Sequence, residues 1–374
     1  MTVEQYVERA RKDGASDVHL VRGLTPRYRV DGAIQEMDGL LPLTAEDCAQ
    51  AARELTGSQI RQAEAVGELD LALSIAGVRC RVNLFRQQEA WSAAIRLLND
   101  HIPDLSELGL PKVVSEFPAY SQGLVLITGE TGSGKSTTLA AVLNQINRNE
   151  AKHILTLEDP IEYIYTPDKC VINQREIGRD TGSFASGLRA ALREDPDVIL
   201  VGEMRDLETI ETALTAAETG HLVFGTVHTN SAADSIDRVV DVFPAERQQQ
   251  IRLQLSMSLK AVLSQQLLPK VGGGRVLACE VMKTDGAIRN LIREGKTPQI
   301  ANSIQTTGAL GNILMDKALN ALCAAGTISK ETFEGALRDQ SGVKNPASSR
   351  PASPNIHSAP FPPSPSRGGG LPLK

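Results

Sequence analysis

Aromatic residues make up only 3% of the 374 residues, and there is a single tryptophan. Bases of single-stranded nucleic acid stack on aromatic side chains, so a chain this poor in them offers few platforms. Positive charge is also lacking: 39 Lys and Arg against 45 Asp and Glu leave a formal charge of −6, where a phosphate polymer calls for a basic footprint. No nucleic-acid partner is expected. No apolar run approaches the roughly 18–20 residues that span a bilayer, and the first residues contain no signal-peptide core. The expectation is a cytoplasmic protein without direct membrane insertion, docking at most on a membrane complex. Five cysteines (Cys48, Cys80, Cys170, Cys279 and Cys323) stand far apart with no C-x-x-C pair. Neither a zinc clip nor a disulfide framework is indicated, and they read as reduced, buried small hydrophobes.

What is present is enough chain for two cores, with 41% hydrophobic residues. Residues 1–100 read as a small α+β domain. A helix covers Met1 to Lys12 and a strand Asp17 to Val21. A hairpin turns at Asp31-Gly32, and a helix is capped by Thr44 with Asp47. A second hairpin turns at Ala76-Gly77, and Trp91 to Leu98 adds a further strand. Two prolines in a loosened polar segment mark residues 101–112 as a linker. From there to residue 283, apolar runs alternate with helical patterns, as in a parallel sheet built from βαβ units. The strands expected are Leu124–Thr128, His153–Leu157, Cys170–Asn173, Val198–Val201 and Leu222–Thr226. The helices expected are Thr137–Asn147, Phe184–Arg193, Leu207–Glu218, Ser231–Val242 and Ala245–Leu268. Residues 284–340 read as helices without strand signal. Residues 341–374 are Pro, Ser, Gly and Asn with few hydrophobics and are expected to be disordered.

One stretch carries chemistry directly. Gly129, Glu130, Thr131, Gly132, Ser133, Gly134, Lys135 and Ser136, followed by Thr137, fit G-x-x-x-x-G-K-[ST] between a buried strand and a helix. Such a loop wraps backbone N–H groups around phosphate oxygens at the positive end of the new helix. Lys135 is expected on the β/γ-phosphates and Ser136 on Mg²⁺, which makes ATP and Mg²⁺ the expected ligands. Downstream, Asp197 to Val201 is an apolar strand leading to Glu203, placed to orient water or to act on the metal. A second strand ends in Glu158, Asp159 and Glu162; three carboxylates beside a triphosphate require a cation between them. Of these, Glu158 is the choice for the metal–water network. His221 and His228 flank another buried strand and, lying at its opposite ends, cannot share a metal. His228, at the C-terminal end, is the candidate sensor of the γ-phosphate. Arg79 and Arg81 alternate with apolar residues on one N-terminal strand, and Arg96 lies on the next. From the residues alone they are either a charged outer face or phosphate contacts brought in by domain closure.

Taken together, Gly129 to Thr138, Leu157-Glu-Asp-Pro-Ile-Glu162, Asn173-Gln-Arg-Glu176, Leu188 to Asp206 and Ala216-Ala-Glu-Thr-Gly-His221 resemble the secretion and type IV pilus ATPase superfamily. The resemblance covers most of residues 1–340. Glu130 stands where these loops often carry proline. Residues Ala287, Ile288, Arg289, Asn290, Leu291, Ile292, Arg293 and Glu294 are similar to a C-terminal helix motif of the retraction members. With the missing tetracysteine module, they point to the twitching-motility retraction ATPases. The resemblance implies a RecA-like P-loop ATPase core, a small α+β PAS-like N-terminal domain, C-terminal helices and a homohexameric ring. It implies Glu203 as the catalytic acid, Glu158 to Glu162 as an acidic box, His221 and His228 as a histidine box, and Arg81 and Arg96 as the phosphate-contacting pair. The implied activity is ATP hydrolysis that drives pilus retraction against a platform protein at the inner-membrane pilus base. A pilus-extension or type II secretion ATPase, a RecA-like nucleic-acid motor and a non-hydrolysing partner of a motor are the alternatives.

Overall fold

The computed structural model describes residues 1–30, 33–98 and 101–340. The Asp31-Gly32 turn, residues 99–100 before the expected linker, and the 341–374 tail lie outside the described residues. The first part of the chain runs α1 (Val3–Lys12), β1 (Asp17–Val21), β2 (Arg27–Val30), β3 (Ala33–Glu36), α2 (Ala45–Thr56), α3 (Ile60–Val66), β4 (Glu68–Ile75), β5 (Val78–Gln87) and β6 (Ala90–Leu97). Local chemistry sets several of these boundaries. Thr44 and Asp47 form the reciprocal capping box that starts α2, and Thr2 with Gln5 does the same for α1. Ala76 and Gly77 both take positive φ in the two-residue turn between β4 and β5. The six strands form one antiparallel sheet in the order β3-β2-β1-β6-β5-β4. Along β5, Val78, Cys80, Val82 and Leu84 are buried in the core with α1 and α2. Period-two alternation therefore turns Arg79 and Arg81 to the other face.

The second sheet holds β7 (Gly123–Thr128), β8 (His153–Glu158), β9 (Val171–Glu176), β10 (Val198–Val201), β11 (Leu222–Val227), β12 (Leu259–Pro269) and β13 (Arg275–Lys283), in the order β13-β12-β7-β11-β10-β8-β9. All neighbouring pairs are parallel except β12 with β13. Strands β7, β10 and β11 are buried along their whole length, as strands covered on both faces must be. Leu124 and Leu126 of β7 face one core, built with α5 (Phe184–Ala191), α6 (Leu207–Glu218), α7 (Ala232–Asp241) and α8 (Ala245–Ser258). Val125 and Ile127 face the other, built with α4 (Lys135–Asn149). The chain closes with α9 (Gly286–Arg293), α10 (Ile300–Thr306), α11 (Met315–Ala324) and α12 (Lys330–Gln340).

Two expectations change. The helix expected over Ala245–Leu268 stops at Ser258, and the chain passes without a turn into the eleven-residue strand β12. Strand β12 is sandwiched between β7 and β13, so its run of buried residues carries no alternation that separates it from a helix. The edge strand β13 was also not expected. Residues 101–112 are no slack tether: Ile102, Leu105 and Leu110 lie against the core of the second sheet, and Asp104 pairs with Arg148 of α4. Four cysteines are buried and free and Cys323 is half-buried, so none is bridged.

Candidate active site

Strand β7 feeds the loop from Gly129 to Gly134, and α4 begins at Lys135. The loop needs a bare backbone at its first position. A Cβ on Gly129 (φ 140°) would lie 2.4 Å from the Gln265 carbonyl oxygen and 2.5 Å from Ser133 Oγ. Lys135 Nζ donates to the carbonyl oxygens of Gly129 (2.7 Å) and Glu130 (2.9 Å), folding the side chain back across the loop. Ser133 Oγ is buried without a partner, while Thr131, Gly132 and Ser136 are open to solvent at the mouth. Behind the loop, Gln265 Nε2 donates to Thr138 Oγ1 (2.8 Å), and Thr137 Oγ1 lies 2.9 Å from the Tyr163 hydroxyl.

The acids converge on this loop because neighbouring parallel strands end at the same edge of the sheet. Burial lowers the Lys135 pKa, and the negative charges of Glu203, Glu162 and Glu130 act to raise it. Lys135 thus sits within electrostatic reach of three carboxylates from three segments. Glu203 Oε1 lies 2.8 Å from His228 Nε2 and also contacts Arg205 Nε. His228 follows β11 and Glu203 follows β10, so the register of these two strands brings the pair together. Glu158 Oε1 accepts from Thr156 Oγ1 (2.6 Å) and Gln174 Nε2 (3.2 Å). Burial pushes the Glu158 carboxyl above its usual range, only partly offset by those two donors.

His221 stands apart. It precedes β11 at the opposite end, where its Nδ1 lies 3.0 Å from the Ala216 carbonyl oxygen at the end of α6. The structure gives it a helix-end contact and no place beside the phosphate loop.

The arginines also separate. Arg81 and Arg96 are exposed and directly opposite each other across β5 and β6. Arg96 Nε donates to Asp17 Oδ1 at 2.9 Å, and Arg81 has no side-chain partner among the described residues. Neither hydrogen-bonds to the phosphate loop in this single chain. The arginine that crosses to the second sheet is Arg79, which the sequence left open between outer-face charge and phosphate contact. Its Nε donates to the Ile161 carbonyl oxygen and its Nη2 to Glu176 Oε2, both at 3.0 Å. Glu176 Oε2 also accepts from the Ile161 backbone N–H at 3.2 Å. Arg79 therefore grips the segment that carries Glu158 and Glu162. Its position two residues from Arg81 was the only signal available. In the C-terminal motif, Ile288 and Ile292 are fully buried and Leu291 is half-buried, while Ala287 is exposed. Asn290, Arg293 and Glu294 are also exposed, with Glu294 paired to Lys296 at 2.7 Å.

No group of three or more His, Cys, Asp or Glu side chains among the described residues holds a metal by itself. The oxygen donors present, the Ser136 hydroxyl and the Glu203 and Glu158 carboxylates, suit a cation that takes few protein ligands and completes its shell with phosphate and water.

Known proteins resemble this chain over most of its length. The type IV pilus retraction ATPase PilT of Pseudomonas aeruginosa is 50% identical over 333 residues, covering 88% of this chain and 96% of that protein. A twitching motility protein of Neisseria gonorrhoeae is 46% identical over 310 residues, 82% of this chain and 83% of its own. A crystal structure of the pilus retraction motor PilT with bound ADP superposes with a TM-score of 0.85 at 47% identity, covering 90% of this chain and 97% of that one. Since the family described as "Type II/IV secretion system protein" matches residues 1–324, nearly the whole described chain, this protein belongs to that family, with its RecA-like ATPase fold.

Proposed function

We propose that this chain is an ATP-hydrolysing motor that drives retraction of a type IV pilus. The observation that carries the reading is the convergence of Lys135, Glu203 with His228, and the Glu158–Glu162 segment on one loop. The strong identity to retraction ATPases across both sheets supports it. ATP binds with its phosphates on the Gly129–Thr137 backbone and Lys135. Ser136 and Glu158 would hold Mg²⁺, which would offset the repulsion between the phosphates and the carboxylates. Glu203 orients the attacking water, and His228, in contact with it, links that acid to the occupancy of the γ-phosphate position.

Arg81 and Arg96 supply charge to the transferred phosphoryl when the first sheet closes on the second. Two guanidinium groups facing each other across strands destabilise a sheet, and Asp17 offsets only part of that. A polyphosphate between them would relieve the rest. A homohexameric ring converts successive closures into force on a platform protein at the cytoplasmic side of the pilus base. No helix among the described residues is long and apolar enough to cross a membrane. The deciding experiment pairs two readouts. Lys135→Ala should abolish phosphate release in a steady-state assay and leave cells with surface pili that do not retract. Full turnover in that variant sinks the site, and normal retraction with the gene deleted sinks the role.

A further inference from the structure

At the end of the second sheet remote from the phosphate loop, where β7 and β12 begin and β13 ends, three cations surround one cavity of about 280 Å³. Lys260, Lys283 and Arg289 line it together with Tyr120 and Thr284. Only Lys283 has an acidic partner, its Nζ donating to Glu116 Oε2 at 2.6 Å. Lys260 and Arg289 have none among the described residues, although both are half-buried. Two donors are sealed from solvent and unpaired: Arg289 Nε and Thr284 Oγ1. The cavity is also shaped by the backbone beneath it. A Cβ on Gly123 (φ 117°) would fall 2.5 Å from Lys260 Cε and 2.7 Å from its Cγ, so the lysine stem lies flat on a bare stretch of β7.

Such a cluster is costly as it stands. Half-buried like charges repel, and a buried donor without an acceptor forfeits its hydration. In a chain of net charge −6, nothing general explains positive charge gathered here. An oxyanion in the cavity answers the repulsion, because its acceptor oxygens take charge-assisted bonds from the cations that line it. We propose that this cavity is an oxyanion-binding site that takes free phosphate. The site is distinct from the nucleotide loop and does not depend on the ATPase reading.

The test uses the full chain with Lys135→Ala, which weakens the phosphate loop's own grip on anions. Thermal unfolding is compared in phosphate and in chloride at matched ionic strength, with and without Lys260→Gln and Arg289→Gln. Phosphate should raise the midpoint saturably by about 3–6 °C, and each added substitution should remove most of that rise. In chloride the added substitutions should leave the midpoint equal or higher, because they relieve repulsion. Sedimentation of the same proteins tells phosphate from a carboxylate of another copy. A mass indifferent to phosphate while the midpoint still rises supports the phosphate site; an assembly that both phosphate and Lys260→Gln dissolve assigns the cavity to a contact between copies and overturns it. Equal loss of stability in both salts, or no response of either readout, overturns the site.

Discussion

At the scale of single residues, the site divides into parts that sequence displays and parts that only folding reveals. Lys135, Ser136 and Glu203 were legible because their spacing from glycines and from an apolar strand is fixed by backbone mechanics. The contact between Glu203 and His228 was not, since 25 positions apart only the β10–β11 register joins them. That contact makes Glu203 the residue to probe. Glu203→Gln keeps the shape and removes the base, so turnover should fall about 10²–10⁴-fold while ATP still binds; unchanged turnover would return the role to another acid. A buried acid outside the site gives a prediction about stability. Glu280 accepts the Ala232 N–H at 2.7 Å and the Met315 N–H at 3.3 Å, joining the start of α7 to that of α11. Burial raises its pKa above the usual 4.5 in spite of those donors. The folded protein therefore holds a proton that the unfolded chain has released, and stability from this group is lost as pH climbs from 4.5 through the raised value. Glu280→Gln cannot titrate. The stability of the parent minus that of the variant should decline across that rise, and a difference independent of pH would refute the assignment.

At the scale of elements, amphipathic helices with caps and strands bounded by turn residues were readable. The Leu207–Glu218 helix, for example, starts from Asp206, whose carboxylate accepts the Thr209 N–H at 2.9 Å. The failures lie where no punctuation exists. Between Ser258 and Leu259 there is neither glycine nor proline, so the helix-to-strand change is set by the hydrogen bonds of β7 and β13 and by nothing local. The turn into β13 did carry a signal, Gly272 to Gly274, which a reading committed to a long helix passes over. The grip of Arg79 on the acidic segment is likewise an event between elements. Its side chain and that of Glu176 are 11% and 10% exposed, enough shielding for the pair to hold the segment firmly. Arg79→Ala should lower kcat about tenfold, near 1.4 kcal/mol, with nucleotide affinity little changed. Arg79→Lys should recover only part of the loss, because an ammonium cannot serve the carbonyl and the carboxylate in one fork. A loss confined to KM would mean that Arg79 merely helps to hold nucleotide.

At the scale of the whole molecule, the reading requires the two sheets to change their relation with the nucleotide state. In the single chain Glu203, Glu162 and Glu130 already act on Lys135, yet Arg81 and Arg96 sit outside, Arg96 paired with Asp17. Catalytic acids without charge on the far side of the phosphoryl make a slow enzyme, since such an arginine is worth about 10³–10⁵ in rate. On the proposed reading that charge comes by movement of the first sheet, which the Arg79–Glu176 contact would constrain. The contact of Arg79 lies beside Glu176, whereas Ile102, Leu105 and Leu110 are bound to the second core. Such a movement would carry β5 and β6 together, because the two strands pair along their length. The reading requires ATP to gain more from that closure than ADP, since a difference in affinity is the only source from which the nucleotide can shift the equilibrium. The Glu203→Gln protein, which traps ATP, should therefore scatter X-rays as a more compact particle with ATP than with ADP at the same assembly state. Adding Arg81→Ala should erase that difference while leaving ATP bound. Identical profiles in both nucleotides would leave the chain an ATPase with no stroke, and the motor reading would fall with it.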